Sequence, residues 1–184
     1  MPSKQTKYFI GYLIEGEAAT WHIELAKNIS KRFGTWELHK KVPSHITIFQ
    51  SFKTEDINPV KSILRDWIHT RPIPGSLALS GFNHFEERVV FASVDTDASS
   101  KQAIEELRGA LRQIPTMPIE DFPVWHPHAT LANHVSAQEI NQIWDYVLSL
   151  KKPNFTLPLN NVTLFRFEEN QKWVIEESFR LSEE

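Results

Sequence analysis

The feature that most constrains the fold is a pair of His-x-Thr motifs that recur, with their surroundings, at nearly one spacing. The motifs are His45-Ile46-Thr47-Ile48 and His128-Ala129-Thr130-Leu131. The two motif histidines are 83 residues apart, and the matching stretches Phe85-Glu86-Glu87 and Phe167-Glu168-Glu169 are 82 residues apart. Two features that recur at almost the same offset indicate an internal duplication. The sequence therefore predicts two similar lobes, each carrying one motif.

Each motif begins a strand and is followed by an amphipathic helix and then by a hairpin with an acidic turn. Helical spacing of apolar residues also precedes the first motif and ends at Gly34, a typical C-terminal stop. Ser136 and Glu139 form a capping box, and Asn58 and Ser99 or Ser100 are the predicted caps of two other helices. These patterns predict helices over 15–33 and 137–150 and strands over 8–14, 45–52, 76–85, 88–95, 155–157, 161–167 and 172–180.

The predicted fold class is α+β, with two pseudo-symmetric lobes, antiparallel sheets flanked by helices, and a central cleft between the lobes. Residues two apart in a strand point to the same face, so His45 should lie beside Thr47 and His128 beside Thr130. A pseudo-two-fold axis would bring the two pairs face to face across the cleft. Because both lobes are needed to complete that cleft, we expect residues 1–184 to form a single bilobal domain.

The paired motifs suggest chemistry on a phosphodiester. Imidazole is the side chain whose ordinary pKa lets it act as either acid or base near neutral pH. Threonine hydroxyls can donate hydrogen bonds to the negative charge that develops on phosphate oxygens. This set requires neither a metal nor an organic cofactor, and we predict neither.

Composition narrows the classes of partner. The formal net charge of −3 does not favour extended duplex DNA, and no apolar run approaches the length of a membrane span. The chain contains no cysteine, which excludes disulfides, zinc–thiolate sites and a cysteine nucleophile. The N-terminal stretch lacks the apolar segment of a signal peptide, so we expect a cytoplasmic protein with no membrane partner. We also expect a monomer, since the duplication supplies both halves of the cleft.

Two strand-borne His-x-Thr motifs within a duplicated α+β chain resemble the two-histidine phosphoesterases. This family includes the branch of 2′-5′ RNA ligases and 2′,3′-cyclic phosphodiesterases. The resemblance implies a metal-independent phosphodiesterase acting on a 2′,3′-cyclic phosphate or a related phosphodiester of a nucleotide or RNA terminus. It assigns His45 and His128 as the general acid and base, which exchange roles in the reverse, ligation-like direction, and it matches Thr47 and Thr130 to the phosphate-binding threonines. Ser44 departs from the Pro or Leu-like residue expected before the first motif in several branches.

Three further residues are candidates for the pocket. Phe49 shares the face of His45 if the strand alternates regularly, although core packing is an equal alternative. Trp125 and His126 precede the second motif, and at the cleft rim the indole could stack on a base.

Two other functions stay open from the sequence. His126 and His128 would point to one face of an extended chain, and His134 continues this period of two, so the three could bind a divalent metal in a metallohydrolase. A non-catalytic module that binds nucleotides or RNA ends would keep the fold but would not need both histidines.

Overall fold

The computed structural model describes residues 5–70, 75–86, 88–121 and 123–181, so Glu87 in the first acidic turn lies outside the described residues. The described strands are β1 (Thr6–Leu13), β2 (His45–Thr54), β3 (Ser76–Phe85), β4 (Val89–Thr96), β5 (His128–Asn133), β6 (Phe155–Pro158), β7 (Asn161–Phe167) and β8 (Trp173–Arg180). The helices are α1 (Gly16–Phe33), α2 (Asn58–His69), α3 (Ala98–Leu111) and α4 (Ala137–Leu148), with a short 3₁₀ helix at Leu38–Lys40.

The strands form two antiparallel sheets of four, in the orders β2-β1-β7-β8 and β5-β4-β3-β6. Each motif strand lies at the edge of its sheet. Its partner is the strand before it in the chain, and one α-helix connects the two, giving β1-α1-β2 and β4-α3-β5. This arrangement confirms the duplicated α+β fold with two lobes. β2 also contacts β5, so the cleft runs between the two motif strands.

The hairpins join the lobes in a way that the repeat did not reveal. The β3–β4 hairpin follows the first motif in the chain but lies in the sheet of the second motif. The β7–β8 hairpin follows the second motif but lies in the sheet of the first. Each sheet therefore needs strands from both halves of the sequence.

The helix ends follow the predicted chemistry in two cases and differ in two. Gly34 ends α1 in the left-handed conformation, with φ 70°, and the capping box of Ser136 is present on α4. The cap of α3 is Asp97, whose carboxylate accepts from the N–H groups of Ser100 and of Ser76 on β3. Asp97, and not Ser99 or Ser100, therefore caps the helix, and its carboxylate also joins the start of the helix to the sheet. On α2 the residue at the cap position is Ile57 rather than Asn58. The backbone N–H of Asn58 donates to the carboxylate of Asp56.

One face of each sheet packs against the helices. Side chains from both sheets and all four helices belong to one buried apolar cluster. On the opposite face of the first sheet, Phe9, Leu13 and Phe165 form a smaller cluster beside His45. None of the helices in the described ranges combines the length and apolar character needed to cross a lipid bilayer.

Candidate active site

Strand β2 presents the first motif to the cleft and then changes face at a β-bulge. Gly11 pairs with Thr47 and Ile10 pairs with Phe49, which leaves Ile48 without a partner on β1. The extra residue reverses the alternation that follows it. Phe49, a candidate pocket wall, is therefore fully buried in the core, and Gln50 takes its place on the cleft side.

The two motif histidines are held in the same way. Nδ1 of His45 lies 2.8 Å from the carbonyl oxygen of Pro43, and Nδ1 of His128 lies 2.8 Å from that of His126. A carbonyl oxygen only accepts, so each Nδ1 carries the hydrogen. Nε2 is then the nitrogen that binds or releases a proton in both rings.

Each histidine ring rests against two phenylalanine rings from neighbouring strands. The centroid of His45 lies 4.7 Å from that of Phe9 and 5.5 Å from that of Phe165. The centroid of His128 lies 4.9 Å from that of Phe85 and 5.1 Å from that of Phe91. These contacts restrict the orientation of both imidazoles.

A glycine makes room for the rings beneath His45. Phe9 and Phe165 stack at 4.4 Å between centroids. A Cβ on Gly11 would lie 3.2 Å from an atom of the Phe165 ring and 3.4 Å from one of the Phe9 ring. The absence of a side chain at Gly11 therefore leaves room for both rings.

Burial changes the proton affinity of both histidines. It lowers the pKa of His45 from 6.5 to about 4, the Pro43 carbonyl opposes this, and charge on His22 and on His128 lowers it further. Burial also lowers the pKa of His128, against the effect of the His126 carbonyl. The influence of His128 on the pKa of His45 places the two rings within electrostatic reach of one another.

The threonines lie beside the histidine of the opposite motif. Thr47 and His128 line one cavity of about 90 Å³. Thr130 and His45 line a second, smaller one. In each cavity the fold thus brings the threonine of one motif beside the histidine of the other.

Trp125 connects the lobes instead of standing at an exposed rim. Its side chain is 5% exposed, and its indole N–H donates to the carbonyl oxygen of Thr47 at 2.8 Å. Its backbone N–H donates to Glu105 at 2.7 Å. Trp125 lines the larger cavity, as does the exposed His126, but little of the indole is free for stacking.

Replacing Trp125 with phenylalanine is expected to destabilise the protein by about 1–3 kcal/mol, because it removes the indole N–H that donates to the partly buried carbonyl of Thr47. Urea unfolding measures this change. Trp36→Phe is the control, since Trp36 is 40% exposed, and it should change the free energy of unfolding by about 0.5 kcal/mol or less. Equal stability of the two variants would contradict the structural role of Trp125.

Two polar residues that sequence reasoning missed fix the segment before the second motif. The amide of Gln50 donates to the carbonyl of Ile119 at 3.2 Å and accepts from the N–H of Asp121 at 2.9 Å. Arg108 is 2% exposed and pairs with Glu120 at 2.8 Å. Arg108 could have been noticed, because it falls on the apolar stripe of α3. Gln50 could not, because it reaches the cleft only through the bulge.

His126, His128 and His134, considered above as metal ligands, do not form a metal site within the described residues. No group of three or more His, Cys, Asp or Glu side chains suited to a metal occurs in the part of the chain that the structure describes. His134 has a positive φ of 56° and its ring lies 6.0 Å from that of Trp36. The geometry does not favour the metallohydrolase alternative.

The comparisons with known proteins agree with this architecture. A family model described as the 2′-5′ RNA ligase superfamily matches residues 16–171, so the chain belongs to that superfamily, whose members are phosphoesterases or RNA ligases. This confirms the resemblance predicted from the motifs. A search of curated proteins found no match.

Solved structures show the same fold over nearly the whole chain. The protein TT0787 of Thermus thermophilus has a TM-score of 0.66 at 17% identity, covering 95% of this chain and 97% of that one. LigT of E. coli, solved with 3′-AMP, has a TM-score of 0.65 at 16% identity, covering 98% and 100%. Usb1 of Kluyveromyces marxianus, solved with uridine monophosphate, has a TM-score of 0.54 at 12% identity, covering 97% and 100%.

Proposed function

We propose that this protein is a metal-independent phosphodiesterase that uses His45 and His128 as general base and general acid. Its substrate is a 2′,3′-cyclic phosphate or a related phosphodiester of a nucleotide or RNA terminus. The observation that carries the proposal is that Thr47 lines one cavity with His128, and Thr130 lines a second, smaller one with His45. A phosphate bound between the two motif strands would then meet two imidazoles and two hydroxyls. The nucleotides bound to LigT and Usb1 support this class of ligand.

The proposed reaction moves protons through the Nε2 atoms of His45 and His128. One Nε2 removes a proton from water, the water oxygen forms a bond to phosphorus, and the bond from phosphorus to the ribose oxygen breaks. The other Nε2 donates its proton to that ribose oxygen. Thr47 and Thr130 donate hydrogen bonds to the non-bridging oxygens, where negative charge increases in the transition state.

We assign the base to His45 and the acid to His128. His45 lies on the stacked rings of Phe9 and Phe165, and its pKa of about 4 keeps it neutral. Burial lowers the pKa of His128 less than that of His45. A pair that shares one proton therefore holds it on His128.

This assignment predicts an acidic optimum for kcat/KM. The base is active when neutral, so activity falls as the pH drops through about 4, the pKa of His45. The acid is active when protonated, so activity falls as the pH rises through the pKa of His128, which lies below 6.5. A pH series should give a bell-shaped curve with its maximum below pH 6.5, and a maximum well above neutrality would contradict the assignment.

Hydrolysis of 2′,3′-cyclic CMP with and without a chelator tests the proposed function. Turnover that survives chelation and disappears in both His45→Ala and His128→Ala supports the two-histidine enzyme. Loss of turnover on chelation would favour a metallohydrolase. Binding of the nucleotide without turnover would favour a binding module.

We also propose that the chain acts as a monomeric single domain. The support is that both motifs, and strands from both halves of the sequence in each sheet, are supplied by one chain. Analytical ultracentrifugation of the active protein tests this: activity confined to a dimer would contradict it.

A further inference from the structure

A buried histidine lies behind the first motif. His22 on α1 is 5% exposed, and its Nδ1 lies 2.9 Å from the hydroxyl oxygen of Ser44. Ser44 is itself 4% exposed and directly precedes His45. The contact therefore joins a helix to the segment that begins the motif strand.

His22 also faces the second motif. Burial lowers its pKa to about 4 and keeps it neutral, although the nearby backbone of Thr130 and Ala129 acts to raise that pKa. A neutral histidine at this position is bounded on one side by the first motif and on the other by the backbone of β5.

His22 reaches a small cavity that the first motif also lines. This cavity is lined in part by His22, His39, Ser44, His45 and Thr130. Nε2 of His22 is buried and makes no hydrogen bond within the described ranges. The hydrogen bond between Nδ1 and the Ser44 hydroxyl is therefore the contact through which the ring acts on the first motif.

We infer that His22 is a positioning residue for His45. Ser44 stands between Pro43, whose carbonyl accepts from His45 Nδ1, and His45 itself. Holding the Ser44 side chain fixes the peptide that presents this carbonyl. The carbonyl in turn fixes the tautomer and the direction of the His45 ring. The effect on catalysis rests on the proposed function; the effect on the His45 tautomer does not.

The contact between His22 and Ser44 has no counterpart at Pro127, the matching position of the second motif. Pro127 stands immediately before His128, where the first motif has Ser44, and proline has no hydroxyl to receive such a contact. The carbonyl that orients His128 comes from His126, which is exposed. Loss of His22 should therefore affect His45 and leave His128 unchanged.

Three variants separate this role from simple packing. His22→Leu keeps an apolar volume but removes both ring nitrogens, and Ser44→Ala removes only the hydroxyl partner. His22→Asn keeps an amide near the position of Nδ1. The readouts are the ¹⁵N shifts of the ring nitrogens of His45 and His128, which report their tautomers, and kcat for 2′,3′-cyclic CMP, with thermal unfolding as the check on folding.

We expect His22→Leu and Ser44→Ala to shift the His45 nitrogens toward a mixture of tautomers, to leave those of His128 unchanged, and to lower kcat by about tenfold or more with little change in KM. The double variant should lose no more than either single one, and His22→Asn should restore most of the loss. Wild-type ¹⁵N shifts of His45 in folded Ser44→Ala and His22→Leu would overturn the inference. Absence of turnover in the wild type would overturn the proposed function, yet the shifts would still decide the role of His22.

Discussion

Replacing either His45 or His128 with alanine is expected to lower kcat for a 2′,3′-cyclic nucleotide by about 10²–10⁴-fold. Each variant removes one of the two Nε2 atoms that move protons, while the threonines that bind the phosphate stay in place. KM should therefore change little. Steady-state kinetics near the pH optimum measure both constants.

The two histidines act on one reaction, so their effects should not add. The double variant is expected to be only slightly slower than the slower single variant. His84→Ala is the matched control, because His84 also has Nδ1 against a backbone carbonyl, that of Glu86 at 2.9 Å, but is exposed and packs against Trp144. A His45 or His128 variant with kcat close to that of His84→Ala would contradict the assigned roles.

The second large effect concerns stability. Arg108→Met is expected to lower the free energy of unfolding by about 3 kcal/mol, because it removes the buried partner of a buried carboxylate and leaves the partly exposed Arg112 to offset that charge. The carboxylate is that of Glu120, whose side chain is 6% exposed, and Glu105 also pairs with Arg108 at 2.7 Å. Denaturant unfolding followed by fluorescence measures the change.

Arg112→Ala provides the control for this prediction. Arg112 pairs with the same Glu120 at 2.7 Å, but its side chain is 36% exposed. Because water reaches the Arg112 side chain and screens its charge, this variant is expected to lose about 0–1 kcal/mol and to remain close to the wild type. If both variants lose the same stability, burial of Arg108 is not the reason for its effect.

The sequence predicted the parts of the fold that depend on local pattern. Alternation along β2 and β5 placed His45 beside Thr47 and His128 beside Thr130, and the repeat predicted that two lobes share a cleft. The capping box at Ser136 and the stop at Gly34 were also local features, and both are present in the structure.

What the sequence did not predict depends on pairing between distant segments. The bulge at Ile48 exists only in the register of β2 against β1, and it sends Phe49 to the core. Trp125 lies buried against the edge strand β2, where the carbonyl of Thr47 accepts its indole N–H. The exchange of hairpins between the lobes is likewise a property of strand order, which the repeat alone does not determine.

A crystal structure with 3′-AMP tests most directly whether the two remote motifs bind one phosphate together. We expect the phosphate in the cleft, with oxygens within about 3.2 Å of Nε2 of His45 and His128 and of the hydroxyls of Thr47 and Thr130. A phosphate held by one motif alone, or bound outside the cleft, would contradict a shared site.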